Sequence, residues 1–175
     1  MTKDKYILWG IPVIFIIGSV FHFIYEFTGD NFIIGLIAPV NESVFEHMKM
    51  VPVPVLIWWI VGCVKFKPDK DIWFSSCLIS LILGTILVPL IYYFYTSAFG
   101  IEIIIVDILI LFIAVLLGQL LALHYFEHGS GINYKIALGI MVAVIVVFAI
   151  FTLFPPKLPI FMDRSTGTYG INQTT

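Results

Sequence analysis

The chain has 175 residues, a formal net charge of −2, 61% hydrophobic residues and only 11% charged ones. A water-soluble domain of this length needs roughly a quarter of its residues charged, and a nucleic-acid binder needs a basic stripe. Both are excluded by this composition, whose mean hydropathy is +1.08. The chain therefore reads as an all-α, polytopic membrane helix bundle of about five transmembrane helices, with the lipid bilayer as its first partner and no nucleic acid.

The first predicted span runs over residues 6–27 and stops at Thr28-Gly29-Asp30-Asn31. Its apolar run is too long for the core of a signal peptide, so it reads as a retained helix. The segment 32–40 is too short to cross. A helix then starts near Asn41 to Ser43, with Ser43 and Glu46 at capping-box spacing. It continues to residue 64, about 36 Å at 1.5 Å per residue. Pro52 and Pro54 fall inside it and predict a kink. Three more spans follow at 72–98, 101–126 and 134–154, separated by Gly100 and by Gly129-Ser130-Gly131. Residues 155–175 form a tail.

Lys3, Lys5, Lys65, Lys67, Lys70 and Lys135 all fall on one side of this topology, while loops 28–40 and 97–101 carry no lysine or arginine. The bias predicts a cytoplasmic N-terminus and an extracytoplasmic tail. Cys63 and Cys77 then lie toward the inner ends of helices, as apolar filler. The tail is stiff at Pro155-Pro156-Lys157-Leu158-Pro159 and afterwards carries Ile160, Phe161 and Tyr169. That pattern suggests a cap folded over the helix ends, with Asp163 or Arg164 reaching the polar residues there. Asn172-Gln173-Thr174 has the form of a glycosylation sequon.

Ionisable groups in spans are costly and point to function. Toward the outer side the sequence places His22 and Glu26 at i, i+4, Glu42 and Glu46 at i, i+4, the pair Ser43 and His47, and Asp107. Two imidazoles and four carboxylates at one depth suit a divalent metal, zinc first among them, and also suit proton relay. In the metal reading His22, Glu26, His47 and Asp107 are ligands and Glu42 or Glu46 is the general base. The alternative is a solvated helix face, with Glu46 and Lys49 paired at i, i+3. On the inner side, His124, Glu127 and His128 match an H-x-x-E-H zinc-protease string. The helix ends at once after His128, and the one later acidic residue, Asp163, falls on the other side, so interfacial histidines are the favoured reading. Gln119 reads as an interhelical hydrogen-bonding residue.

Three features taken together, His22-Phe-Ile-Tyr-Glu26, the segment Pro39 to His47 (Pro-Val-Asn-Glu-Ser-Val-Phe-Glu-His), and the tail Pro155 to Gly170, resemble a family of small prokaryotic integral membrane proteins. Phe45 stands where that family is expected to have tryptophan. The resemblance implies a multi-pass protein of a prokaryotic plasma membrane and supplies no activity. Ser19 and His22 give a weaker likeness to membrane hydrolases related to alkaline ceramidases, whose spacing differs. Three functions stay open: a metal-dependent membrane hydrolase, a transporter or channel for protons or divalent cations, and a non-catalytic scaffold or partner subunit. The small-molecule or lipid ligand and any self-association are not specified by the sequence.

Overall fold

A computed structural model describes residues 1–171; the sequon at Asn172 lies outside the described residues. Among the described residues the fold is all-helical, and five helical segments, the second of them Val44–Phe66, are long and apolar enough to cross a membrane. Helix α1 (Lys3–Phe21) is capped by Thr2 and buries Tyr6, Ile7, Gly10, Ile14, Gly18 and Phe21, a stripe at three- and four-residue spacing. It stops earlier than residue 27. The chain turns at His22 and Phe23 and makes two short non-spanning helices, α2 (Ile24–Phe27) and α3 (Phe32–Gly35), the second capped by Asn31.

The second span is two helices. Helix α4 (Val44–Met48) is capped by Ser43, whose hydroxyl accepts from the Glu46 amide at 3.3 Å. The reciprocal half of the capping box does not form, because the Ser43 amide donates to the Asn41 side chain at 2.9 Å. Helix α5 (Pro52–Phe66) begins afresh at Pro52. A helix's first turn leaves its amides unpaired, so Pro52 and Pro54 sit where a missing N–H costs least. The prolines thus open a helix where the sequence reading placed a kink.

Helices α6 (Lys70–Phe99), α7 (Ile104–His128) and α8 (Tyr134–Leu153) complete the bundle. Gly100 closes α6 in the left-handed region, at φ 67°. Helix α6 is central and packs against α4, α5, α7 and α8, while α1 packs on α5 and α7. At the end of the bundle opposite the tail, Tyr6 stacks on Trp58 with ring centroids 4.1 Å apart. There the Trp73 indole donates to the Trp59 carbonyl at 2.9 Å.

The tail folds back on the bundle. A 3₁₀ turn, Pro159–Phe161, inserts Phe161 beside Phe45, with centroids 4.5 Å apart. An isolated bridge joins Met162 to Tyr169, and the Ile171 amide donates to the Thr152 carbonyl at 3.1 Å. The tail therefore covers the end of the bundle that carries α2, α3 and the start of α4, here called the tail face.

Candidate metal centre

Three side chains converge beneath the tail. His22 leaves the end of α1, Glu42 stands in the turn before α4, and His47 lies on α4. The His22 and His47 Nε2 atoms are 3.2 Å apart. Glu42 Oε2 is 3.6 Å from His22 Nε2 and 3.4 Å from His47 Nε2. Among the described residues, this is the group of three whose ligand atoms could hold one ion.

The local sequence aims each ligand. His47 Nδ1 lies 2.9 Å from the Ser43 carbonyl. A carbonyl only accepts, so Nδ1 carries the proton and donates, and Nε2 faces the centre, where it donates to Glu42 when protonated and offers a metal its lone pair when not. This is the second contact that metal-binding histidines usually make. His22 Nδ1 is buried without a partner among the described residues, and that ring is held by packing, 4.7 Å from Phe23 and 5.0 Å from His47. Glu42 is fixed through its backbone, whose amide donates to Asp163 Oδ2 at 3.3 Å. Its neighbour Asn41 donates to the Gly170 carbonyl at 3.2 Å. Both contacts come from the tail.

Hydrogen bonds from His22 and then His47 hold the Glu42 carboxyl well below the usual carboxylate range. Asp163 is also lowered. Burial alone would raise it, but donation from the Ser165 hydroxyl and amide and from the Glu42 and Thr166 amides outweighs that cost.

The other polar residues of this face stand apart from the triad. Glu46 is 1% exposed and fully engaged. Its Oε2 accepts from Lys49 at 2.7 Å and from the Val40 amide at 3.1 Å, and its Oε1 from the Thr152 hydroxyl at 2.8 Å. Lys49 also donates to the Gly35 and Ala38 carbonyls. The expected i, i+3 pair forms, but α3 and residues 36–40 fold over it, so it is buried instead of solvated. Asp107 accepts from the Tyr95 hydroxyl at 2.6 Å. Arg164 pairs with Glu102 and lies over the Tyr92 ring. Glu26 is exposed and lines a cavity beside His22. His124 and His128 stack at the opposite face, with His128 Nδ1 3.0 Å from the His124 carbonyl.

Two cavities of about 210 Å³ meet at Glu42. One reaches His22, Glu26 and Asp163. The other reaches His47, Asp107 and Arg164, past the apolar walls Val44, Val88 and Ile110. The pairing of Tyr95 with Asp107, the presence of Glu102 and the buried role of Lys49 are absent from the sequence reading. Lys49 had a signal there, a cation three residues after Glu46; Tyr95 and Glu102 sit on other elements and had none.

No curated protein and no solved structure matches the chain. A family model described as a family of unknown function, DUF6512, matches residues 1–171, and the chain belongs to that family.

Proposed function

We propose that this protein is a zinc-dependent membrane hydrolase. The observation that carries the reading is the shape of the triad. Zinc held by nitrogen and oxygen at 2.0–2.2 Å in a tetrahedron requires neighbouring ligand atoms about 3.3–3.5 Å apart. The three separations here are 3.2, 3.4 and 3.6 Å. Two histidines and one carboxylate form a catalytic ligand set that leaves a fourth position open, whereas structural zinc takes four protein ligands. Zinc so held would make a water nucleophilic near neutral pH.

Asp107 is suited to the proton-handling role. It shares a cavity with Glu42 and His47, and the Tyr95 hydroxyl occupies one of its oxygens. Glu46 is less suited, because both its oxygens are engaged by Lys49, Val40 and Thr152.

Transport is less well supported. One turn inward from His22, a Cβ on Gly18 would meet the Met50 carbonyl oxygen at 2.6 Å, so α1 is closed against the α4–α5 break. Deeper still, Ile14, Val51, Leu81, Ala114 and Val115 form a buried apolar layer. The lysine bias favours a membrane orientation with this site on the extracytoplasmic side; thiol labelling of single cysteines placed at Lys67 and Arg164 from either side of sealed vesicles tests it.

Metal analysis decides between a hydrolase and a hydrogen-bonded scaffold. Protein purified in detergent and equilibrated with zinc should retain about one equivalent, and His22→Ala and His47→Ala should lose most of it. A wild-type protein that retains no zinc ends the hydrolase reading.

A further inference from the structure

Resting on that hydrolase reading, we propose that the substrate is an acyl ester of an anionic membrane amphiphile, bound head group toward Arg164 and chain toward Val88 and Ile110.

The cavity beside His47 is graded along the axis of the helix bundle. At its tail-face end the Arg164 guanidinium lies over Tyr92 beside Glu102. At its inner end stand Val88, four residues deeper on α6 than Tyr92, and Ile110, three residues deeper on α7 than Asp107. Those offsets correspond to about 4.5–6 Å of helix rise. Glu42 and His47 line the same cavity. A phospholipid has the same order of parts: an anionic phosphate, then an ester carbonyl a few ångströms deeper, then a hydrocarbon chain.

The surface around the cavities on the tail face fits the same partner. From Phe94 to Val106 the one charged residue is Glu102, while Phe99 is 70% exposed and Ile104 77%. Across the tail face, Phe27 is 78% exposed and Ile33 70%, on helices too short to span. This apolar surface continues the exposed sides of α6 and α7, at Leu90 and Ile108. Surface so apolar and so continuous with membrane-spanning helices belongs in the lipid headgroup region.

The chemistry is ester hydrolysis. A water oxygen adds to the ester carbonyl carbon while its proton passes to Asp107. The bond from carbon to the alcohol oxygen then breaks, and Asp107 returns the proton to that oxygen. The products are a free fatty acid and the head-group-bearing alcohol.

The test uses the zinc-loaded full chain in vesicles of phosphatidylglycerol and phosphatidylethanolamine. Released fatty acid is measured, and turnover of soluble p-nitrophenyl butyrate is measured in parallel. Wild type should release fatty acid from the vesicles. Val88→Trp and Ile110→Phe should each lower that release roughly tenfold or more while zinc content stays unchanged, the second variant guarding against misfolding of the first. Turnover of the soluble ester with none of the vesicle lipid would overturn the substrate class and leave the hydrolase reading standing. Vesicle-lipid release that both filled variants match would overturn the binding mode. Zinc bound with neither ester cleaved, or no zinc bound, would overturn both proposals.

Discussion

Lys49 and Glu46 show how a membrane protein keeps charge below the surface. The ammonium has three acceptors, Glu46, Gly35 and Ala38, and the carboxylate has three donors, Lys49, Val40 and Thr152. Removing one member leaves the other buried and uncompensated, at a cost of about 3–5 kcal/mol. Glu46→Ala should therefore melt far below wild type in detergent, and adding Lys49→Met should recover much of the loss. Recovery in the double variant separates a charge-burial effect from a catalytic role for Glu46. The residue types of the centre are visible in the sequence, but their grouping is not. Spacing of i, i+4 pairs His22 with Glu26 and Glu42 with Glu46 only if each pair lies on one continuous helix. The chain turns at His22, and α4 starts after Glu42, so both partnerships dissolve and Glu42 swings to the histidines. Asp107 shares their depth, yet its side chain is taken by Tyr95.

At the scale of elements, the centre depends on where helices stop. The break at Pro52 is legible only in part, since the prolines mark it as a kink and not as the fresh start that α5 makes there; the stop at Phe21 is not legible, because Val20 to Thr28 contains neither glycine nor proline. What fixes the end of α1 is contact. Gly18 lets that helix approach the Met50 carbonyl, one turn below His22 and just past His47. Gly18→Ala should push α1 away, costing about 1–3 kcal/mol and weakening zinc binding with every ligand in place. Gly139→Ala is the matched control, because a Cβ there meets nothing within 4 Å. Melting temperature and zinc titration of the two variants check the contrast. Equal behaviour would remove the Gly18 approach from the account of the site. The five spanning helices themselves follow from hydropathy alone, since lipid demands long apolar helices and admits few alternatives.

For the molecule as a whole, pH acts on the tail and on the centre in separate ranges. The folded pKa of Asp163 lies below its ordinary value of 3.8. Its contribution to holding the tail is thus fully present above that value and is lost as pH falls through the lower folded one. Limited proteolysis should find the tail protected at neutral pH and released only in strong acid, whereas Asp163→Asn should expose it at neutral pH. Zinc binding should fail earlier, because protons compete with the metal for the two imidazoles at a milder pH than the one that releases a lowered carboxylate. Zinc retention measured across a pH series beside the proteolysis checks that the centre empties before the tail is released. The tail also sets an order of assembly. Glu42 is held by Asp163, 121 residues later in the chain, and Asn41 by Gly170, 129 residues later. During synthesis His22 and His47 emerge early, but the clamp on the third ligand emerges only after all five helices have been made. The nascent protein therefore crosses the insertion machinery without a finished chelate. A metal at this centre would be acquired afterwards, from the compartment into which the tail is delivered, and the supply there, not that at the ribosome, would decide which ion it is.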